Sequence, residues 1–174
     1  MKFLKMLYEK KNRKSAPYYY DYSILTVIKK PIRKWISQVL APNCVFNFLR
    51  IFLYRLCGFH IGKHTFIGMR CYLDDMCYDL LTIGDHVTIS YGVYFACHGK
   101  DQGHYPIVVG DYAYIGMRAN VISKNADGGE NGVFIGKGAV VGSCSLVNRN
   151  VPDGATAVGV PCRILEKEEM LHDE

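Results

Sequence analysis

From Ile61 to Val147 an aliphatic residue or Phe recurs every six positions, in four groups of three: Ile61, Ile67, Leu73; Ile83, Ile89, Phe95; Val109, Ile115, Val121; Ile135, Val141, Val147. The jumps between groups are 10, 14 and 14 residues, so each interruption follows a completed set of three. An even spacing would suit a continuous strand, but the Gly and Asp that follow, as in Ile83-Gly84-Asp85, would break one. The helical period of about 3.6 does not fit. A short strand followed by a turn, three times round, does fit. Self-similarity at this period predicts a parallel β-helix, whose coils bury little alone and stack on one another.

The fifth position of each hexapeptide holds Thr65, Cys71, Cys77, Val87, Val93, Ala113, Ala119, Ala139, Ser145 and Val151, small residues where space is tight. One large and one small inward position per hexapeptide would fill a narrow triangular interior without voids. Gly62, Gly68, Gly84, Gly110, Gly116, Gly136 and Gly142 are expected at corners where the backbone bends sharply and side chains crowd. This divides the chain into residues 1–60, a basic and partly helical segment; 61–152, the repeat; and 153–174, a tail expected to end in a short helix.

Charge separates the first of these from the rest. Residues 1–70 carry 14 Lys and Arg against 2 acids, and residues 71–174 carry 7 against 14, although the net formal charge is only +5. The basic part begins with Lys2, Lys5, Lys10, Lys11, Arg13 and Lys14, continues through Tyr18, Tyr19, Tyr20 and Tyr22, and then shows a helical apolar stripe from Ile24 to Leu40 interleaved with Lys29, Lys30, Arg33 and Lys34. A second apolar stretch, Val45 to Phe59, is interrupted by Arg50 and Arg55, and neither has the roughly 18 to 20 apolar residues of a membrane span. Two readings of this segment are compatible: a cap on the open end of the coil stack, and a surface that rests peripherally on an anionic membrane. Nucleic acid is disfavoured because no recognition motif is present and the repeat is acidic. Seven cysteines form no CxxC pair, and no cleavable leader is visible, so reduced thiols in the cytoplasm are expected, with any membrane contact at its inner face.

Ile61-Gly62, Ile83-Gly84-Asp85, Val109-Gly110-Asp111 through Ile115-Gly116, Ile135-Gly136 through Val141-Gly142, Val147-Asn148-Arg149-Asn150-Val151-Pro152 and Gly159-Val160-Pro161-Cys162-Arg163 resemble the hexapeptide-repeat acyltransferases over about residues 45–165. The resemblance implies a mainly all-β fold, a left-handed parallel β-helix of about four coils. Handedness comes from the resemblance alone. The implied activity is acetyl-CoA-dependent O-acetylation of a hydroxyl. The basic N-terminal module favours a sugar of a surface polysaccharide or lipid-linked glycan as acceptor.

Because the interruptions share a corner, their loops should stack along one edge, and loops on a rigid scaffold tend to carry function. In this family a His at the start of the loop Ala96–Val108 acts as general base, and His98 occupies that place, with direct transfer and no acyl-enzyme. Cys97 as nucleophile with His98 as its base is the alternative covalent route. Asp74 and Asp75, at the first interrupted corner, match the acid that orients the histidine or holds the acceptor; spacing does not separate them, and Asp75 is marginally preferred for the sugar side. His104 is an acceptor contact or a solvated loop residue. The residues matching acetyl-CoA contacts are Gly116, Arg118, Ser143, Asn148, Arg149 and Arg163, in a groove between subunits of a homotrimer. Outward Met69, Tyr72, Tyr91, Tyr94, Tyr112, Tyr114 and Met117 independently favour subunit contact. No metal is expected. The competing readings are a zinc enzyme resembling the carbonic anhydrases of this fold, drawing on His64 and His86, and a non-catalytic structural β-helix. The loop 124–132 is a gate on the donor site or an inert excursion.

Overall fold

Three sheets, built from one parallel strand per coil apart from a final antiparallel strand in the second, carry the hexapeptide period in a computed structural model that describes residues 2–17, 23–98, 103–124 and 132–165. The first sheet contains β1 (His60–Ile61), β3 (Leu81–Ile83), β6 (Ile107–Val109) and β9 (Val133–Ile135). The second contains β2 (Phe66–Ile67), β4 (Thr88–Ile89), β7 (Tyr114–Ile115), β10 (Val140–Val141), β12 (Thr156–Val158) and β13 (Arg163–Leu165). The third contains β5 (Tyr94–Ala96), β8 (Asn120–Ile122) and β11 (Leu146–Val147), extended by a bridge from Tyr94 to Tyr72. Register places Ile67, Ile89, Ile115 and Val141 in one column, and Phe95, Val121 and Val147 in another. Most of these strands are two or three residues long, too short to hold by backbone bonds alone. Each fully buried aliphatic side chain contributes about 2 kcal/mol, so the columns hold the coils together. The small fifth-position residues Ala113, Ala119 and Ala139 lie buried between the large ones.

The expected role of glycine is only half right. The sharp bend falls two residues later, where His64, His86 and Tyr112 at one corner and Arg70, Arg118 and Cys144 at the next all have φ between 54° and 60°. The glycines answer instead to coil stacking. A Cβ on Gly110 would lie 2.8 Å from the backbone nitrogen of Lys137, and one on Gly116 would lie 2.5 Å from that of Ser143.

Winding continues past Val147: Val151 bridges Ile135 and β12 pairs with β10. The chain then reverses, and β13 runs antiparallel to β12. The expected tail helix would fall on residues 166–174, the tyrosine run on 18–22 and most of the third loop on 125–131, all outside the described residues.

The segment expected as one module, 1–60, is divided. Residues 1–35, with α1 (Lys2–Asn12) and α2 (Ile24–Trp35), form one unit, and residues 36–174 another. In the second, a π-helical turn (Ile36–Leu40), α3 (Ala41–Asn43) and α4 (Asn47–Leu56) close the first coil, whose outer edge has no further coil to pair with. Side chains take the place of that coil. Arg50, fully buried, donates to the carbonyls of Ile67 (2.6 Å) and Cys44. The Asn47 side chain donates to Thr65 O (3.2 Å) and accepts from Ile67 N (3.1 Å). Tyr54 Oη donates to Cys71 O at 3.2 Å, and Gln38 Nε2 to Leu73 O at 2.9 Å. A buried guanidinium with no carboxylate partner among the described residues is tolerable because backbone carbonyls take its donors.

Candidate active site

Every long interruption falls between the third strand of one coil and the first strand of the next, so their described parts, residues 74–80, 97–98, 103–106, 123–124 and 132, share one edge. Leu73 ends the first coil pointing inward and fully buried, and the chain then turns at Asp74, also fully buried. One carboxylate oxygen of Asp74 accepts the Met76 N–H at 2.9 Å. The other accepts the Cys97 N–H at 2.8 Å and lies 2.6 Å from His98 Nδ1. A solvated corner is therefore excluded for Asp74. With Nδ1–H donated to the carboxylate, the neutral imidazole keeps the lone pair on Nε2, and the ring is 34% exposed. That is the arrangement of a positioned proton acceptor.

Asp75 does different work. It is half-buried, and Tyr72 Oη donates to it at 3.1 Å. Burial first, then the Asp75 charge, pushes the Tyr72 phenol up, so it remains a donor. The Tyr72 ring stacks on Tyr94 with centroids 4.3 Å apart and planes 8° from parallel. Both tyrosines were expected only as outward residues for subunit contact. Their 22-residue separation, one coil, was the signal that they share a column beside the aspartates.

The second loop is pinned at its base: His98 bridges His104, and Tyr105 N–H donates to Cys97 O at 2.9 Å. His104 is exposed and borders a recess of about 250 Å³ with Met76, Cys77, Asp79 and Leu80. Asp79 was not singled out from the sequence, where nothing distinguishes it from other loop acids. Cys97 is fully buried, and burial followed by the Asp74 charge pushes its thiol far up. The same causes raise Cys77 to about 11. Burial inside the stack and the upward push on its thiol both count against Cys97 as a nucleophile. His64 and His86, named for the zinc reading, lie at a different corner of the chain from His98 and stack on each other, centroids 4.9 Å apart.

The residues matched to acetyl-CoA contacts fall on two edges of the chain. Gly116, Arg118 and Ser143 occupy the corner after the second strand, where Gly116 packs on Ser143 and the exposed Arg118 runs past Gly92. Asn148 and Arg149 follow β11 on the interrupted edge, and Arg163 is exposed on β13. Among the described residues, buried Asn148 Oδ1 and Ser123 Oγ have no hydrogen-bond partner. Both stand on the edge that carries His98.

The coil stack and its corner pair point to the hexapeptide-repeat acetyltransferases, whose fold is the left-handed parallel β-helix, and the chain belongs to that family. Over 146 residues, 81% of its own length and 80% of the relative's, it is 31% identical to putative acetyltransferase YvoF of Bacillus subtilis (strain 168). It is 30% identical over 119 residues to galactoside O-acetyltransferase of Escherichia coli (strain K12), covering 62% of this chain and 53% of that one. Serine acetyltransferase of Bacillus pumilus (strain SAFR-032) is 35% identical over 107 residues. The chain spans about half the length of the last two, 53% and 44%. Among solved structures, the acetyl-CoA complex of the hexapeptide-repeat acetyltransferase VCA0836 from Vibrio cholerae O1 biovar eltor superposes with a TM-score of 0.61 at 26% identity, covering 83% of this chain and 90% of that one. No protein-family model matches the chain.

Proposed function

We propose that this chain transfers the acetyl group of acetyl-CoA directly to a hydroxyl of a sugar, in a surface polysaccharide or lipid-linked glycan, with His98 as general base. The observation that carries this reading is the 2.6 Å contact between His98 Nδ1 and a carboxylate that is itself fully buried. His98 Nε2 takes the hydroxyl proton as the sugar oxygen attacks the thioester carbon. The imidazolium, stabilised by Asp74, returns that proton to the departing thiolate, giving an acetyl ester and free CoA thiol. Asp74 is the positioning residue. Asp75, held beside the Tyr72–Tyr94 stack, is the acceptor-side residue: a carboxylate for a sugar hydroxyl next to a half-exposed aromatic face for the ring.

Acetyl-CoA supplies an activated acetyl group on a long amide-bearing arm. Asn148 Oδ1, buried without a donor, suits an amide N–H of that arm, and Arg118, Arg149 and Arg163 suit its phosphates. These residues occupy two edges of one chain, and a homotrimer would bring one edge of each subunit against a different edge of the next. The galactoside relative and the acetyl-CoA complex of VCA0836 support the acceptor and donor classes respectively.

Thiol release from acetyl-CoA, measured with an acceptor panel of mono- and oligosaccharides and L-serine, tests the reading. Release with sugars and its loss in His98→Ala are expected. Release with serine alone overturns the acceptor, and calorimetry showing no acetyl-CoA binding overturns the donor.

A further inference from the structure

Helix α4 is apolar on two sides. Arg50, Ile51, Leu53 and Tyr54 face the first coil and are buried. On the opposite side Phe48, Phe52 and Leu56, spaced four residues apart, are 74%, 59% and 64% exposed, flanked by Val45 and Phe46 at 73% and 61%. The Phe46 and Phe48 rings lie 5.8 Å apart, so this is a patch rather than scattered side chains. A helix apolar on all sides is ordinarily buried, and a contiguous exposed apolar surface marks a place where something docks.

Charge identifies what docks there. From Tyr22 to Leu73 the chain has eight Lys and Arg and no Asp or Glu. A recess of about 420 Å³ opens beside the apolar patch, its lining including Phe48, Arg55, Lys63 and His64. Apolar side chains next to a basic recess match the acyl boundary and the phosphate layer of a lipid leaflet. Considered by itself, α2 repeats the combination: Leu25, Ile28, Ile32 and Trp35 are more than half exposed, and Lys29, Lys30, Arg33 and Lys34 lie among them. No described helix is long and apolar enough to cross a membrane, so the contact would be peripheral.

We propose that the outward face of α4, with its basic recess, docks on an anionic lipid bilayer. The cap places the candidate site close to that surface. Asp74 ends the first coil, whose Leu73 carbonyl is bonded to Gln38 of the cap, and His98 follows one coil on. A helix is roughly 10 Å thick and coils stack about 4.8 Å apart, so His98 would lie roughly 15 Å from a leaflet resting on the cap, within reach of a glycan still attached to its lipid. That last consequence rests on the proposed transferase activity; the docking does not.

The test is flotation of the full chain with vesicles of phosphatidylcholine alone and of phosphatidylcholine mixed with phosphatidylglycerol. The chain should float with the anionic vesicles only and detach as salt is raised. Phe48→Glu/Phe52→Glu should weaken flotation at least about tenfold, with the circular dichroism spectrum and thiol release on soluble acceptors unchanged. The milder Phe52→Gln/Leu56→Gln pair should give an intermediate loss. Equal binding to both vesicle types, or full binding by the Glu variant, overturns the proposal. So does sedimentation showing that the Glu variant splits an oligomer while vesicle binding persists, which would make the face a contact between copies. Thiol release is read separately, so failure of the transferase reading leaves this test standing.

Discussion

At the corner after the first strand, Asp85, Asp111 and Asp153 each accept a backbone N–H from the coil below, at 2.6, 2.8 and 2.7 Å, and all three are exposed. At the corner after the third strand, Asp74 also accepts backbone N–H groups but is fully buried. The local chemistry is the same, a carboxylate that fastens a turn. In the first case water satisfies the remaining lone pairs. In the second, the loops exclude water, and a buried carboxylate must find protein donors or give up its charge. The His98 ring supplies the missing donor, so desolvation of a turn-forming aspartate leaves an oriented imidazole.

The strongest challenge to that contrast is His98→Ala, which should lower kcat by roughly 10³-fold or more in a thiol-release assay with a responsive acceptor. Next, Asp74→Asn should lower kcat by about 10²-fold, because an amide NH₂ facing Nδ1 favours the tautomer with a protonated Nε2. Asp75→Asn should mainly raise the acceptor KM, by about threefold to tenfold if one charge-assisted hydrogen bond is lost. If Asp74→Asn and Asp75→Asn give equal kcat losses, the separation of roles collapses. At the regular corner, Asp111→Ala should cost about 1 kcal/mol in denaturant unfolding with kcat nearly unchanged. The smallest effect is one of order: iodoacetamide should label exposed Cys144 before buried Cys97, whose thiol is pushed up by burial and the Asp74 charge, as peptide mapping of the native protein would show.

The cap makes the same point about context. Arg50 and Arg55 read along the chain as interruptions of an apolar stretch, and Lys29 and Lys30 as charges on a helix. Only the packing shows that Arg50 lies inside, bonded to carbonyls of a coil edge, while Phe48 and Phe52, the more apolar residues, lie outside. Gly116, matched to a donor contact, owes its missing side chain at least to the approach of Ser143, which spacing alone does not reveal.

The six-residue period determined the stack, the inward columns and the shared corner of the interruptions, because each is a matter of which positions repeat, and repetition is visible in one dimension. It placed His98, Asp74 and Asp75 on one edge but could not rank the two aspartates, which are adjacent and chemically identical. Tertiary structure gives them different surroundings: the turn buries Asp74 under the next coil and leaves Asp75 to Tyr72. Burial and partnership depend on which coil lies above, and neighbours along the chain carry no record of that.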